Sequence, residues 1–492
     1  MFLLRKTSIF IALLIVSAFL MFLSAIFGVI VDEFIEARSF FYFGLLILLI
    51  SLFLTFASFN RAVSSPVRSQ ILVAITSFII LPVIYTLPLL SVLSNLDVHT
   101  LYFEMVSAFT TTGLTGIHTI IGISQTVLFW QALVAWFGGL LIWTFYFSIF
   151  NTLDINDIFM TVGKTNPDIK IKSFEIKKVH HTEIFLNTFV SICIPFAVIT
   201  AILWGLLKFS GEDAFLALIY SMSTMATSGI SPSGSQIDSI NYIGLLAIFI
   251  FLLFSLNSNS LHILRKIRFK ITDFSNVETN IGMKLIILGA TLLSVIKFQD
   301  YINFYDILIG VFENLFMCLS FLTTSGWHLN TILEPELAGA SLVLAILALI
   351  GGGIGTAAGG LKLLRFIVIK RHLHSEFDKM VFPSVIRASE SRMRLNDSII
   401  LKVWVFFSAF IFFILASMCC LSLLNLPFKE AFFLSMSTFS NTGPLFEVII
   451  QPNSLYEILN NPIKYVLILA MVLGRIEILV LFSLFHIEFW RK

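Results

Sequence analysis

The chain has 492 residues, of which 58% are hydrophobic and only 12% charged, and its net charge is +2. An average soluble domain carries about twice that share of charge, so a water-soluble fold is excluded, and mean hydropathy of +0.97 agrees. The small net charge gives no global basic field for nucleic acid, and basic residues have meaning only by position.

The first apolar run, from Ile9 to about Val31, follows a basic start at Arg5 and Lys6. It is too long for a cleaved signal segment and holds no small-residue cleavage site, so it reads as a first transmembrane helix. Further spans are expected near Phe40 to Phe59, Ile71 to Leu93, Val127 to Phe150, Ile184 to Leu207 and Tyr242 to Leu264. Met283 to Ile296, Ser341 to Ile369, Ile399 to Leu424 and Tyr465 to Phe489 complete ten. A run of roughly 20 apolar residues crosses a hydrocarbon layer of about 30 Å. The expected fold class is therefore an all-α membrane protein of about ten transmembrane helices.

With the amino end inside, one side collects Arg61, Arg68, Lys164, Lys170, Lys172, Lys177, Lys178, Arg265, Lys266, Arg268, Lys270, the cluster from Lys370 to Arg394, Arg491 and Lys492. The other keeps Arg38, Lys208, Lys297, Lys429 and Lys464. The positive-inside rule then predicts a multi-pass protein of the cell inner membrane with both termini cytoplasmic. Contact with anionic membrane lipid is the plain reading of the basic loops.

Four shorter apolar stretches remain on the outer side, ending near Thr112, Ser228, Ser325 and Thr442. Each is too short to cross, and non-helical backbone at membrane depth survives only inside protein or along a watery cavity, which predicts re-entrant loops. They read SAFTTTGLT from Ser107, STMATSGIS from Ser223, SFLTTSGWH from Ser320 and STFSNTGPL from Ser437. All place Ser six residues before Gly, with Ser or Thr directly before it; Gly113, Gly229, Gly326 and Gly443 recur roughly every 100 to 120 residues. Chance similarity of polar loops is the bland alternative, and four matching registers weigh against it.

The pattern suits a dehydrated monovalent cation, whose water rings of backbone carbonyls can replace. Glycine allows the backbone angles this needs and keeps side chains off the path. Helix carboxyl ends would aim partial negative charge at the ion. Acidic groups at or near the short-helix starts, Glu104, Glu212, Asp213, Glu313 and Glu430, are expected to cap those helices and to enrich cations at the outer mouth.

Within the eighth span, Gly351, Gly352, Gly353, Gly355, Gly359 and Gly360 crowd ahead of Lys362 and Arg365. Interior glycines each cost up to about 1 kcal/mol in a helix, so a broken helix is expected in preference to a close helix contact. Arg475, in the apolar MVLGRIEILVLF, must face a cavity or find a partner, and Glu477 points elsewhere on a helix. The four cysteines, Cys193, Cys318, Cys419 and Cys420, lack ligand spacing and are expected to be buried packing residues. The nine histidines form no metal or nucleophile set; His180 and His181 fall in a polar inside loop, and His118 and His328 are expected along the outer vestibule. No HExxH, GxxxxGK[ST] or GxSxG stands in the chain, so an enzyme is not expected.

The four glycine segments, the ten spans and the two leading helices resemble the Trk/Ktr/HKT superfamily of cation transporters over essentially the whole chain. The resemblance implies a membrane subunit for potassium uptake, with potassium ion as substrate and no cofactor in this chain. It implies two leading helices over 1–66 and pore repeats over 67–155, 156–270, 271–375 and 376–492 in pseudo-fourfold arrangement, the third carrying an intramembrane gating loop. It assigns the selectivity filter to Thr112, Gly113, Ser228, Gly229, Ser325, Gly326, Thr442 and Gly443, and the gate to the glycines of 351–360 with Lys362 and Arg475. Glycine in all four segments is associated with potassium preference; Trp327, Asn441 and Pro444 depart from the commonest family residues. It further implies a homodimer on a ring of nucleotide-binding regulatory subunits of the RCK/KTN, TrkA-like type. A sodium-permeable or sodium/proton-coupled symporter on the same scaffold is the alternative.

Overall fold

A backbone in hydrocarbon must satisfy its own polar groups, and helices do so within one segment. The computed structural model describes residues 8–58, 66–117, 123–153, 181–232, 237, 240–257, 277–297, 304–329, 338–381, 397–449 and 458–476. The helices are α1 (Ile9–Ile30), α2 (Phe34–Ser58), α3 (Pro66–Val92), α4 (Val98–Phe109), α5 (Gln125–Leu153), α6 (His181–Phe209), α7 (Ala214–Ala226) and α8 (Tyr242–Leu252). They continue as α9 (Val277–Ile296), α10 (Phe304–Leu322), α11 (Ala338–Ile350), α12 (Leu363–Val381), α13 (Asp397–Leu423), α14 (Phe428–Phe439), α15 (Pro444–Ile449) and α16 (Asn461–Ile476).

Among the described residues seven helices, within α1, α2, α3, α5, α6, α9 and α13, are long and apolar enough to cross a membrane. They match seven of the ten expected spans. The other three are shorter for identifiable reasons. α8 runs into a 3-10 turn, Leu253–Leu256; the eighth span is broken between Ile350 and Leu363; and the part of the tenth beyond Ile476 lies outside the described residues. Large apolar side chains such as Phe53, Phe56, Ile194, Phe412 and Leu423 are exposed on the long helices. In water such surface would drive association, whereas in hydrocarbon it is the matched solvent.

Proline inside α3 and α6 removes ladder donors without ending either helix. In α3, Thr86 Oγ1 donates to the Pro82 carbonyl at 2.6 Å and Ser91 Oγ to that of Pro88 at 2.9 Å, back-bonds of hydroxyls to their own helix.

The packing closes on itself. The helix ahead of each glycine segment lies against a helix that follows it in the chain, and that helix against the next such one: α4, α5, α7, α8, α10, α11, α14, α16, and back to α4. α1 and α2 pack on each other, α1 against α5 and α2 against α3, at the margin of that cycle. The non-helical ends of α4, α7, α10 and α14 are thereby gathered at its centre.

Two expectations are corrected. Cys318 is buried, but Cys193 is only half-buried and Cys419 and Cys420 are exposed; residues facing lipid are as apolar as those facing the core, so composition does not separate them. His328 is buried, with Nδ1 3.4 Å from the Gly326 carbonyl, and does not line an open vestibule. His118 and His180 lie outside the described residues, as do the basic residues between 154 and 180.

Candidate functional site

Each of the four segments leaves its helix in the same way. The carbonyl of the serine six residues before the glycine receives the N–H of the residue just before it: Thr112 to Ser107 at 2.8 Å, Ser228 to Ser223 at 3.0 Å, Ser325 to Ser320 at 3.0 Å, and Thr442 to Ser437 at 2.8 Å. Two positions before each glycine the backbone turns left-handed, with φ of 55° at Thr111, 53° at Thr227, 58° at Thr324 and 53° at Asn441. This is the common way for a helix to stop, with carbonyls of its last turn still satisfied. The sequence register therefore corresponds to one hydrogen bond and one backbone angle, repeated four times.

The segments touch in chain order. A Cβ on Gly113 would strike the carbonyl oxygen of Ser228, and one on Gly229 the carbonyl oxygen of Ser325. One on Gly326 would stand 2.8 Å from the Pro444 ring, and one on Gly443 2.7 Å from the carbonyl carbon of Gly113. Thr112, Ser228, Ser325 and Thr442 are all fully buried.

The fourth segment departs from the others. Gly113, Gly229 and Gly326 have φ of 74°, 64° and 74°, but Gly443 is not left-handed. Pro444 opens α15 at the next position, and a following proline restricts the residue before it to extended angles. Gly443 N–H donates to the Thr112 carbonyl at 2.7 Å. Asn441 Nδ2 adds bonds to Thr112 Oγ1 at 3.0 Å and to the Met471 carbonyl at 3.1 Å, tying this segment to the first and to α16. The two residues that set this segment apart, Asn441 and Pro444, thus change the local geometry.

The acidic residues divide. Asp213 caps α7, its Oδ2 accepting the Phe215 N–H at 3.1 Å, as expected, and Glu430 sits in the first turn of α14. Glu313 falls midway along α10 and Glu104 in the later part of α4, so neither caps a start. Glu104 is buried and accepts Gly116 N–H at 2.5 Å, Thr115 Oγ1 at 3.1 Å and Gln131 Nε2 at 2.9 Å. It fixes the stretch of chain just beyond Gly113. Glu104→Ala would strand three donors at about 1 kcal/mol or more each. A thermal midpoint well below that of Glu104→Gln, which keeps an acceptor, is expected; equal midpoints would remove this role.

Below the segments, residues 351–361 are non-helical and buried. Gly351, Gly355 and Gly360 have φ of 73°, 71° and 75°, angles that L side chains avoid. The loop is held from several sides: Gly353 N–H donates to Ser255 O at 3.0 Å, Ile354 N–H to Glu278 Oε1 at 3.2 Å, and Gly359 N–H to Thr324 Oγ1 at 2.7 Å. Arg475 Nη2 donates to the Ala357 carbonyl at 2.5 Å. Lys362 Nζ folds back on the Ala358 carbonyl. Gly352 packs on Ala358, with room for no Cβ. Arg475 and the loop, far apart in sequence, are thus brought together. Sequence reasoning missed Glu278, Thr324 and the role of Glu104, because nothing in a residue's type announces a distant backbone partner.

No group of three His, Cys, Asp or Glu able to hold a metal occurs among the described residues.

Comparison with known proteins agrees with this architecture. The TrkH family, described as cation transport protein, matches residues 36–490. The Trk system potassium uptake protein TrkH of Escherichia coli K12 is 26% identical over 436 residues, 86% of each chain. An uncharacterized cation transporter of Methanocaldococcus jannaschii is 27% identical over 392 residues, 78% of this chain and 75% of its own. The crystal structure of the potassium transporter TrkH from Vibrio parahaemolyticus superposes with a TM-score of 0.83 over 100% of both chains at 22% identity, a likeness of fold. A multi-pass helical membrane protein whose sequence matches that family from residue 36 to residue 490 belongs to the TrkH family of cation transporters, which are not enzymes.

Proposed function

We propose that this chain carries potassium ions across the cell inner membrane into the cytoplasm, through a filter built from the four glycine segments and closed by the 351–362 loop. The observation that supports it best is the common register of the four segments, each ended by the same serine carbonyl bond and each meeting the next around the centre of the helix cycle. Carbonyl oxygens gathered at that centre are the ligands a cation needs when its water is stripped. Relatives named as potassium uptake proteins over 86% of this chain support the choice of ion.

In this reading the repeats span 67–155, 156–270, 271–375 and 376–492 behind two leading helices, and both termini are cytoplasmic. The loop and Arg475 form the gate, and Lys362, bonded to its own loop, serves to hold it. The functional unit, as the family resemblance implies, is a homodimer on TrkA-like nucleotide-binding subunits.

The fourth segment favours a second reading on the same scaffold. With Gly443 not left-handed and Pro444 beside Gly229 and Gly326, the ring is three alike and one different, a geometry that suits weaker discrimination and sodium permeation. Reconstituted liposomes decide. Rubidium uptake well above sodium uptake is the expected result; comparable uptake favours the sodium-permeable form, and no ion uptake overturns both.

A further inference from the structure

The residues two positions before the glycines, Thr111, Thr227, Thr324 and Asn441, share register, backbone angle and burial, yet their side-chain oxygens differ. Thr111 Oγ1 and Thr227 Oγ1 are buried without a hydrogen-bond partner among the described residues, whereas the Asn441 amide is turned to Thr112 and α16. Thr324 Oγ1 accepts the Gly359 N–H at 2.7 Å, and so is engaged by the glycine loop. Oxygens buried without donors are costly unless something electropositive meets them. An alkali cation with several weak oxygen ligands is such a partner.

Gly359 reaches this place because it has no side chain. A Cβ there would strike the Ser440 carbonyl and lie 3.1 Å from Asn441 Cβ. The same glycine therefore rests on the third and fourth segments together, and its one N–H occupies one of three threonine hydroxyls in the same register.

We propose that Thr324 couples the loop to the ion: its oxygen holds the loop against the third segment, and releasing Gly359 frees that oxygen to act with those of Thr111 and Thr227, so that loop opening and cation binding favour each other. The proposal rests on the ion path proposed above. Thr324 is a positioning residue in it. The coupling is reciprocal by linkage: whatever opens the loop tightens cation binding, and cation binding opens the loop by the same factor. One threonine oxygen of three engaged by the loop gives the closed state a less complete cation site than the open one.

Hydrogen exchange of the purified full chain, followed on the peptide that contains Gly359, tests this without relying on transport. In wild type, potassium chloride is expected to speed exchange of that peptide several-fold over choline chloride. Thr324→Val keeps the β-branched shape and removes the acceptor; exchange in choline should rise about tenfold, the factor worth one hydrogen bond, and most of the potassium response should vanish. Thr324→Ser should behave as wild type. Thr111→Val and Thr227→Val should weaken the potassium response without raising exchange in choline. A wild-type peptide indifferent to potassium overturns the coupling whether or not any variant folds. So does equal acceleration by all three valine variants. Rubidium uptake in liposomes separates the two claims: uptake without a potassium response removes the coupling alone, and a response without uptake removes the transport reading alone.

Discussion

Replacing Gly113 or Gly229 by Ser should cut the ratio of potassium to sodium flux by about tenfold or more, while the protein still folds and inserts. Two costs fall on the same atoms. The backbone at these positions is left-handed, with φ of 74° and 64°, which costs a residue with Cβ roughly 1–2 kcal/mol. The new Cβ also runs into a neighbouring carbonyl oxygen, Ser228 from Gly113 and Ser325 from Gly229. Relief requires those carbonyls to turn, and they are the proposed ion ligands. About 1.4 kcal/mol of lost preference between two ions is already a factor of ten. Gly205→Ser, on α6 with nothing within 4 Å of its Cβ, is the matched control and should leave the ratio unchanged. An unchanged ratio in both filter variants would remove the filter assignment.

The parts of this site visible in the sequence are those held by near neighbours. Ser six residues before Gly is visible because the bond it makes, from Thr112 to Ser107 for example, spans five residues and recurs in every segment. The break of the eighth span is visible for the same reason, as Gly351 to Gly360 concentrates helix-breaking residues in one stretch. Helix existence follows from apolar runs, since hydrocarbon leaves the backbone few alternatives.

Contacts between distant residues leave no such trace. Asn441 and Thr112 lie 329 positions apart and Ile354 and Glu278 76 apart, so residue type names a capacity to bond without naming the partner. Glu104 stands near a helix start in the sequence and so reads as a cap, but α4 begins at Val98, and the carboxylate faces inward to Gly116 and Gln131. The different backbone of Gly443 has a visible cause, Pro444, whose ring restricts the residue before it.

Arg475→Ala should raise potassium flux several-fold in reconstituted protein. The guanidinium is buried on α16, with Nη2 bonded to the Ala357 carbonyl and Nε lacking a partner among the described residues. Truncation then does two things that point the same way. It removes one of the bonds holding the loop, alongside the Gly353, Ile354 and Gly359 anchors. It also removes a positive charge from beside the proposed path, where like charges repel more strongly than in water. Against these stands the loss of packing and of a bond in the fold, which would lower both stability and flux. The two contributions separate by measuring both. Higher flux with a modestly lower thermal midpoint is the outcome expected of a residue that restrains the loop and repels the ion. Flux that falls while the fold remains intact would make Arg475 a structural tie between α16 and the loop, and would leave closure to the glycine contacts and Thr324.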